Sequence, residues 1–154
     1  MNATQSSSPI NPFFTVSPAD AWHEYSVSGQ NGVQEDLINT YLQGAYVTFT
    51  VNSSVGFAVF GATAQAEGAY FVYIDPPVPN SPNTSTGYRL NATTASVAPD
   101  EIKYLATGLD RTQSYEVKIV NADPGRDFNL GQVVLFDAAP PCVIDAENDE
   151  LGDR

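Results

Sequence analysis

Ala45-Tyr-Val-Thr-Phe-Thr-Val51, Val55-Gly-Phe-Ala-Val-Phe-Gly61 and Ala69-Tyr-Phe-Val-Tyr-Ile74 are three short runs of β-branched and aromatic residues. Asn52-Ser53-Ser54 and the small-residue stretch Ala62 to Gly68 separate them, which is the pattern of strands and turns. In the first run Val47, Phe49 and Val51 alternate with Tyr46, Thr48 and Thr50, so one face is oily and the other can meet water or a second layer. The second run is apolar on both faces, which suits a central strand covered on both sides. The three runs are expected to form a meander at the centre of the fold.

Working outward, Phe13 to Val16 is a short strand candidate, and Ser17-Pro18-Ala19-Asp20 a turn or a single helical turn capped by Ser17. Trp22 to Val27 alternates as an exposed or edge strand would. Glu35 to Tyr41 carries a weak signal, either one helical turn or irregular chain. Asp75 to Gly87 holds four prolines and no periodicity, so it is a long surface loop. Tyr88 to Thr93 and Glu101 to Leu105 return as strands. Ser114 to Val120 is the cleanest amphipathic strand, with Tyr115, Val117 and Ile119 facing in, and Phe128 to Asp137 closes the domain. About eight strands with turns between them predict an all-β fold, an antiparallel β-sandwich of jelly-roll type. Residues 1–12 read as a flexible leader, 13–138 as the sandwich domain and 139–154 as an acidic tail led by Pro140-Pro141.

The chain has 154 residues, enough for one domain whose core needs neither disulfide nor metal. Its formal net charge of −12 repels phosphate backbones and anionic membranes, so nucleic acid is excluded as a partner. No run is long enough to span a bilayer. Asn2, Asn52, Asn83 and Asn91 each begin an Asn-x-Ser/Thr sequon, which points to an extracellular, secreted or cell-surface glycoprotein. No apolar signal core follows Met1, and the chain is expected to begin after a removed signal peptide. Cys142 is the single cysteine; it stays buried, pairs between chains, or has lost its partner to truncation.

Leu105-Ala-Thr-Gly-Leu-Asp-Arg-Thr-Gln-Ser-Tyr-Glu-Val-Lys-Ile-Val-Asn121, followed by Phe128-Asn-Leu-Gly-Gln-Val-Val-Leu-Phe-Asp137, resembles the closing strands of galactose-binding-like β-sandwich domains, especially those of fungal secreted or membrane-anchored proteins. The earlier pair Gly44 to Val51 and Gly56 to Gly61 is similar to two further strands of that family. The resemblance covers roughly Phe13 to Asp137 and implies a galactose-binding-like jelly roll with carbohydrate as a ligand class. It departs at Leu130-Gly131-Gln132, where members often carry Leu-Asp-Tyr, and in offering only Trp22 where several have a Trp-rich first turn.

Catalysis finds no motif. His23 is the lone histidine, no nucleophile elbow exists, and no carboxylate pair is placed by a recognisable signature, so the chain is not expected to be an enzyme. Asp20 with the Asp123-Pro-Gly-Arg-Asp127 turn offers oxygen ligands for a structural calcium, which Arg126 opposes; no cofactor is expected. Sugars are bound by aromatic faces stacked on C–H surfaces with planar polar groups around them. Trp22, Tyr25, Tyr41 and Tyr46, in or beside the N-terminal loops, are the carbohydrate-binding candidates, and Tyr73 and Tyr88 around the Pro-rich loop form a second cluster. The expected function is non-catalytic carbohydrate recognition at a cell wall or surface. The alternative is a structural or self-assembly subunit of an extracellular glycoprotein, a homo-oligomer or a partner of another extracellular protein.

Overall fold

The computed structural model describes residues 3–5, 13–28, 32, 34–79, 81 and 84–137. Among the described residues twelve strands are formed: β1 (Ala3–Gln5), β2 (Thr15–Ser17), β3 (His23–Ser28), β4 (Gln34–Thr40), β5 (Tyr46–Asn52), β6 (Gly56–Thr63), β7 (Ala69–Asp75), β8 (Tyr88–Asn91), β9 (Ala98–Thr107), β10 (Ser114–Asn121), β11 (Phe128–Leu130) and β12 (Val133–Phe136). The only helical piece among the described residues is a 3-10 turn at Ala19–Ala21, whose N-cap is Pro18 with no side-chain cap, not Ser17. All strand pairings are antiparallel. The sheets run β2-β5-β10-β7-β8, β1-β12-β6-β9 and β11-β4-β3.

The two smaller sheets join into one layer, because Phe60 N–H donates to Gln132 O and Gly131 N–H to Phe60 O, which ties the β11–β12 corner to β6. The result is an antiparallel β-sandwich. From β4 to β11 the chain changes layer at every connection except β7 to β8, which is jelly-roll connectivity. The expected meander is therefore corrected: β5 and β7 both pair with β10, and β6 lies in the opposite layer between β12 and β9. Alternation reveals which face of a strand is buried, but not which strand lies beside it.

Inward residues of the two layers interdigitate. Val47, Val59, Val72, Val117 and Ile119 are fully buried, and Phe49 of β5 meets Phe57 of β6 edge-on at 5.7 Å between ring centres. Glu35 to Tyr41 is neither helical nor irregular but largely the strand β4. Leu37 and Ile38 are both buried there, which erases the alternation that would have announced it. Ala3–Gln5, in the stretch read as a leader, pairs with β12. The loop between β7 and β8 is pinned by Ile74 N–H donating to Thr84 O and by burial of Val78. The acidic tail with Cys142, and the sequons at Asn2 and Asn83, lie outside the described residues. No helix of the described residues is long and apolar enough to cross a membrane.

Candidate functional site

The five-stranded sheet buries one face and presents the other. Across it, register places Tyr46, Val120, Phe71 and Arg89 in one row, Thr15, Thr48, Lys118 and Tyr73 in the next, and Thr50, Glu116 and Asp75 in a third. These rows face away from the core, since the alternating partners Val47, Ile119 and Val72 are at zero exposure. Three half-buried aromatic rings thus stand on an outward face whose core beneath is already filled. Lys118 Nζ sits 4.1 Å from the centre of the Tyr46 ring, and the Phe71 and Tyr73 rings are 6.3 Å apart. Gly87, at φ +92°, rests against the Tyr73 ring: an added Cβ would come within 2.7 Å of it. On the β2–β5–β10 side of the same sheet lies a depression of about 460 Å³ lined by Phe13, Thr15, Thr48, Phe49, Thr50, Asn52 and Glu116, mostly hydroxyl, amide and carboxylate groups, with none of the three rings among them.

Of the four aromatic candidates, only Tyr46 belongs to this face. Trp22 is corrected: it is 7 % exposed, packs edge-on against Phe128 at 6.1 Å, and is a core residue with no face turned to solvent. It directly precedes β3, at the head of the run whose alternation predicts an exposed or edge strand, and that alternation could not tell that the indole folds inward. Tyr25, half-buried on β3, and Tyr41, 56 % exposed just after β4, lie together at the opposite layer. Tyr73 shares the outward face with Tyr46, whereas Tyr88 pairs with Val72 and packs against the core. Asn52 and Asn91 are exposed at strand ends, and Asn91 Oδ1 accepts from Thr93 N–H at 2.9 Å. His23 lies exposed on β3.

A second polar group lies inside the sandwich. Lys103 of β9 and Glu67 form an ion pair at 3.1 Å, with side chains 0 % and 2 % exposed. Glu67 Oε1 also accepts from Asn129 Nδ2, and Asn129 Oδ1 accepts from the backbone N–H of Ala62 at 2.6 Å. Asp127, which neighbours Glu67 through a β-bridge, accepts from Asn39 Nδ2 at 3.0 Å. Burial pushes the Glu67 carboxyl up to about 7 although Lys103 opposes the shift. Burial likewise lowers Lys103, against the pull of Glu67, and raises Asp127. The Tyr25 hydroxyl is pushed well above its ordinary range by burial and by the nearby charges of Asp127 and Glu67.

The sequence did not disclose this cluster. Lys103 and Tyr104 are adjacent yet both buried, because the β6–β9 ladder shifts register between Val59 and Phe60 and turns both side chains inward. Gly61 makes room for the cluster: an added Cβ would stand 2.8 Å from Lys103 Cε and 2.9 Å from Asn129 O and Oδ1. Gly61→Ala is therefore expected to cost about 1–3 kcal/mol by overpacking, read as a lower denaturation midpoint at unchanged slope. An unchanged midpoint would show that the cluster yields freely.

The turn considered for calcium is occupied by protein contacts. Asp123 Oδ2 accepts from Ala69 N–H at 2.7 Å, Asp127 is bonded as above, and Arg126 Nη1 donates to Gln65 O at 2.9 Å. Asp20 lies in the separate 3-10 turn. Among the described residues, no three acidic, histidine or cysteine side chains are grouped to hold a metal.

No family model matches the chain, and no curated protein matches it. Among solved structures it is similar to insecticidal crystal protein Cry2Aa, at 10 % identity and a TM-score of 0.51, over 80 % of this chain and 20 % of that one. It is also similar to a family two carbohydrate esterase from Cellvibrio japonicus, at 11 % identity and 0.47, over 89 % of this chain and 35 % of that one. A third is the C-terminal CBM6 of LamC from Zobellia galactanivorans, at 10 % identity and 0.46, over 88 % of this chain and all of that one. The chain thus spans about a third of the esterase and a fifth of the crystal protein. At 10 % identity the likeness to the crystal protein is one of fold alone.

Proposed function

We propose that this is a secreted, N-glycosylated domain that recognises carbohydrate without catalysis at a cell wall or surface, through the outward face of its five-stranded sheet. The observation that carries the reading is the placement of Tyr46, Phe71 and Tyr73 on that face, which also carries a depression lined by Thr48 and Thr50. Half-exposed rings set in a rigid ladder offer a sugar its apolar C–H contact at little entropic cost. The hydroxyls, Asn52 and Glu116 that line the depression can hydrogen-bond the polar groups of a sugar. Tyr25 and Tyr41 form a second, smaller aromatic pair beside Asp127 that a longer glycan would have to reach from the other layer.

A glycan-array screen tests this, run on protein made with and without N-glycosylation because Asn52 itself lines the depression. Selective binding is expected, weakened at least about tenfold by Tyr46→Ala or Tyr73→Ala and unaffected by Tyr41→Ala, since one lost stacking contact is worth about 1.4 kcal/mol or more. Binding indifferent to both first variants would place the site elsewhere.

The assembly reading is favoured by a different observation. Strand β9 is a sheet edge, and Val97, Ile102 and Leu105 on or beside it are exposed, at 73 %, 54 % and 51 %. An unpaired edge with apolar side chains is a template for association. A dimer in light scattering that is lost on Ile102→Lys would support this role, and a monomer at high concentration would exclude it.

A further inference from the structure

The interior of the sandwich holds an amine and a carboxamide on the two oxygens of one carboxyl group, all three side chains buried. Lys103 Nζ and Asn129 Nδ2 lie against the two oxygens of one carboxylate, Glu67 Oε2 and Oε1. Lys103 comes from β9 and Asn129 from β11, on opposite sides of β6, and the two side chains meet over Gly61, whose missing Cβ leaves the gap they share. The orientation of the amide is set by its surroundings. The Ala62 N–H can only donate, so the atom it meets is Oδ1 and the amino group must face Glu67.

We infer that Lys103 and Asn129 become joined by an intramolecular isopeptide bond, with Glu67 as the proton carrier. Glu67 takes a proton from the Lys103 ammonium, leaving a free amine and a carboxylic acid. The Nζ lone pair attacks Asn129 Cγ, and the carbonyl electron pair moves to Oδ1, where the Ala62 N–H meets the developing negative charge. Glu67 gives its proton to Nδ2 through one oxygen and takes one from Nζ through the other. The Cγ–Nδ2 bond then breaks, the carbonyl reforms, and ammonia departs with the nitrogen lone pair. The sum is amine plus primary amide giving secondary amide plus ammonia, with no change of oxidation state and no co-reactant.

The environment favours the neutral starting pair this step needs. The Tyr70 and Phe128 rings stand 5.8 and 5.5 Å from Nζ, and Lys103, Glu67 and Asn129 are all buried. Burial raises the Glu67 carboxyl and lowers the Lys103 ammonium, which brings the two toward proton exchange. Held on the two oxygens of one carboxylate, the reacting groups need no diffusional encounter, and the barrier falls accordingly.

The test is the mass of the whole folded chain, made in a host without N-glycosylation, followed by trypsin. The expected mass is about 17 Da below that of the sequence, one ammonia lost per chain. Trypsin should then fail at Lys103 and release one branched species joining residues 90–111 to 127–154. Asn129→Ala, which has no acyl carbon to offer, should show the full mass of its own sequence, and Glu67→Gln, which keeps the shape but cannot carry the proton, should do the same. A folded wild-type chain at full sequence mass, giving separate peptides 90–103 and 127–154, overturns the inference. So does a loss of ammonia mapped to Asn31-Gly32 as a succinimide. Bond formation unimpaired in Glu67→Gln overturns the role of Glu67. If neither variant folds, the wild-type peptide map decides alone.

Discussion

Measured against the unlinked Asn129→Ala chain, in which Lys103 keeps its ammonium, the further change Lys103→Met is expected to lower stability by about 3–5 kcal/mol at neutral pH, because it removes the one cation beside the buried Glu67 carboxyl group. Met replaces the aliphatic stem, so little of the loss comes from a cavity. The deficit should depend on pH in one direction. With Lys103 present, burial holds the Glu67 carboxyl up at about 7 against 4.5 unfolded; Met removes the lowering by Lys103, so in the variant the carboxyl lies higher still, and the stability lost through it is absent below about 4.5 and grows as pH rises past about 7. Unfolding in urea at about pH 5 should therefore show the variant less impaired than at about pH 8. Asp127 and Tyr25 face the same carboxylate, and neither supplies the missing positive charge. The double variant Lys103→Met/Glu67→Leu removes the stranded charge and should recover part of the loss. A Lys103→Met chain as stable as its Asn129→Ala parent at about pH 8 would show that Glu67 reaches water.

Phe57→Ala should cost about 3–5 kcal/mol, independent of pH. Phe57 has no exposed surface and sits where the two layers meet, with the Phe49 ring at 5.7 Å from one side and the Tyr104 ring at 5.8 Å from the other. Strand β6 is held between β12 and β9 and cannot slide to fill the void. The cavity therefore remains, and its cost adds to that of the lost apolar contact. Thermal unfolding monitored by circular dichroism measures it. A loss below about 1 kcal/mol would mean that Phe49 and Tyr104 collapse into the space.

The sequence was most informative where a strand obeys one period. β10 alternates cleanly and was legible from Ser114 to Val120, and β6, apolar on both sides, was legible as central. The outward set Tyr46, Thr48 and Thr50 was legible for the same reason, as the face able to meet water. β4 was hidden by adjacent buried Leu37 and Ile38, and the full length of β9 by its bulges. Pairing was not legible, since the partners of β5 are β2 and β10, far along the chain in both directions. For the same reason, nothing local joins Glu67, Lys103 and Asn129: they converge only when β9 and β11 flank β6. Trp22 misled because an indole at the head of an alternating edge-strand run reads equally as a platform or as a lid on the core.

The central claim is that the outward face of the five-stranded sheet binds sugar. Backbone amide shifts recorded during titration with soluble cell-wall oligosaccharides test it most directly. Shifts concentrated on Tyr46, Thr48, Lys118 and Tyr73 are the predicted result. Shifts confined to Tyr25, Tyr41 and their neighbours, or none with any oligosaccharide, would contradict it.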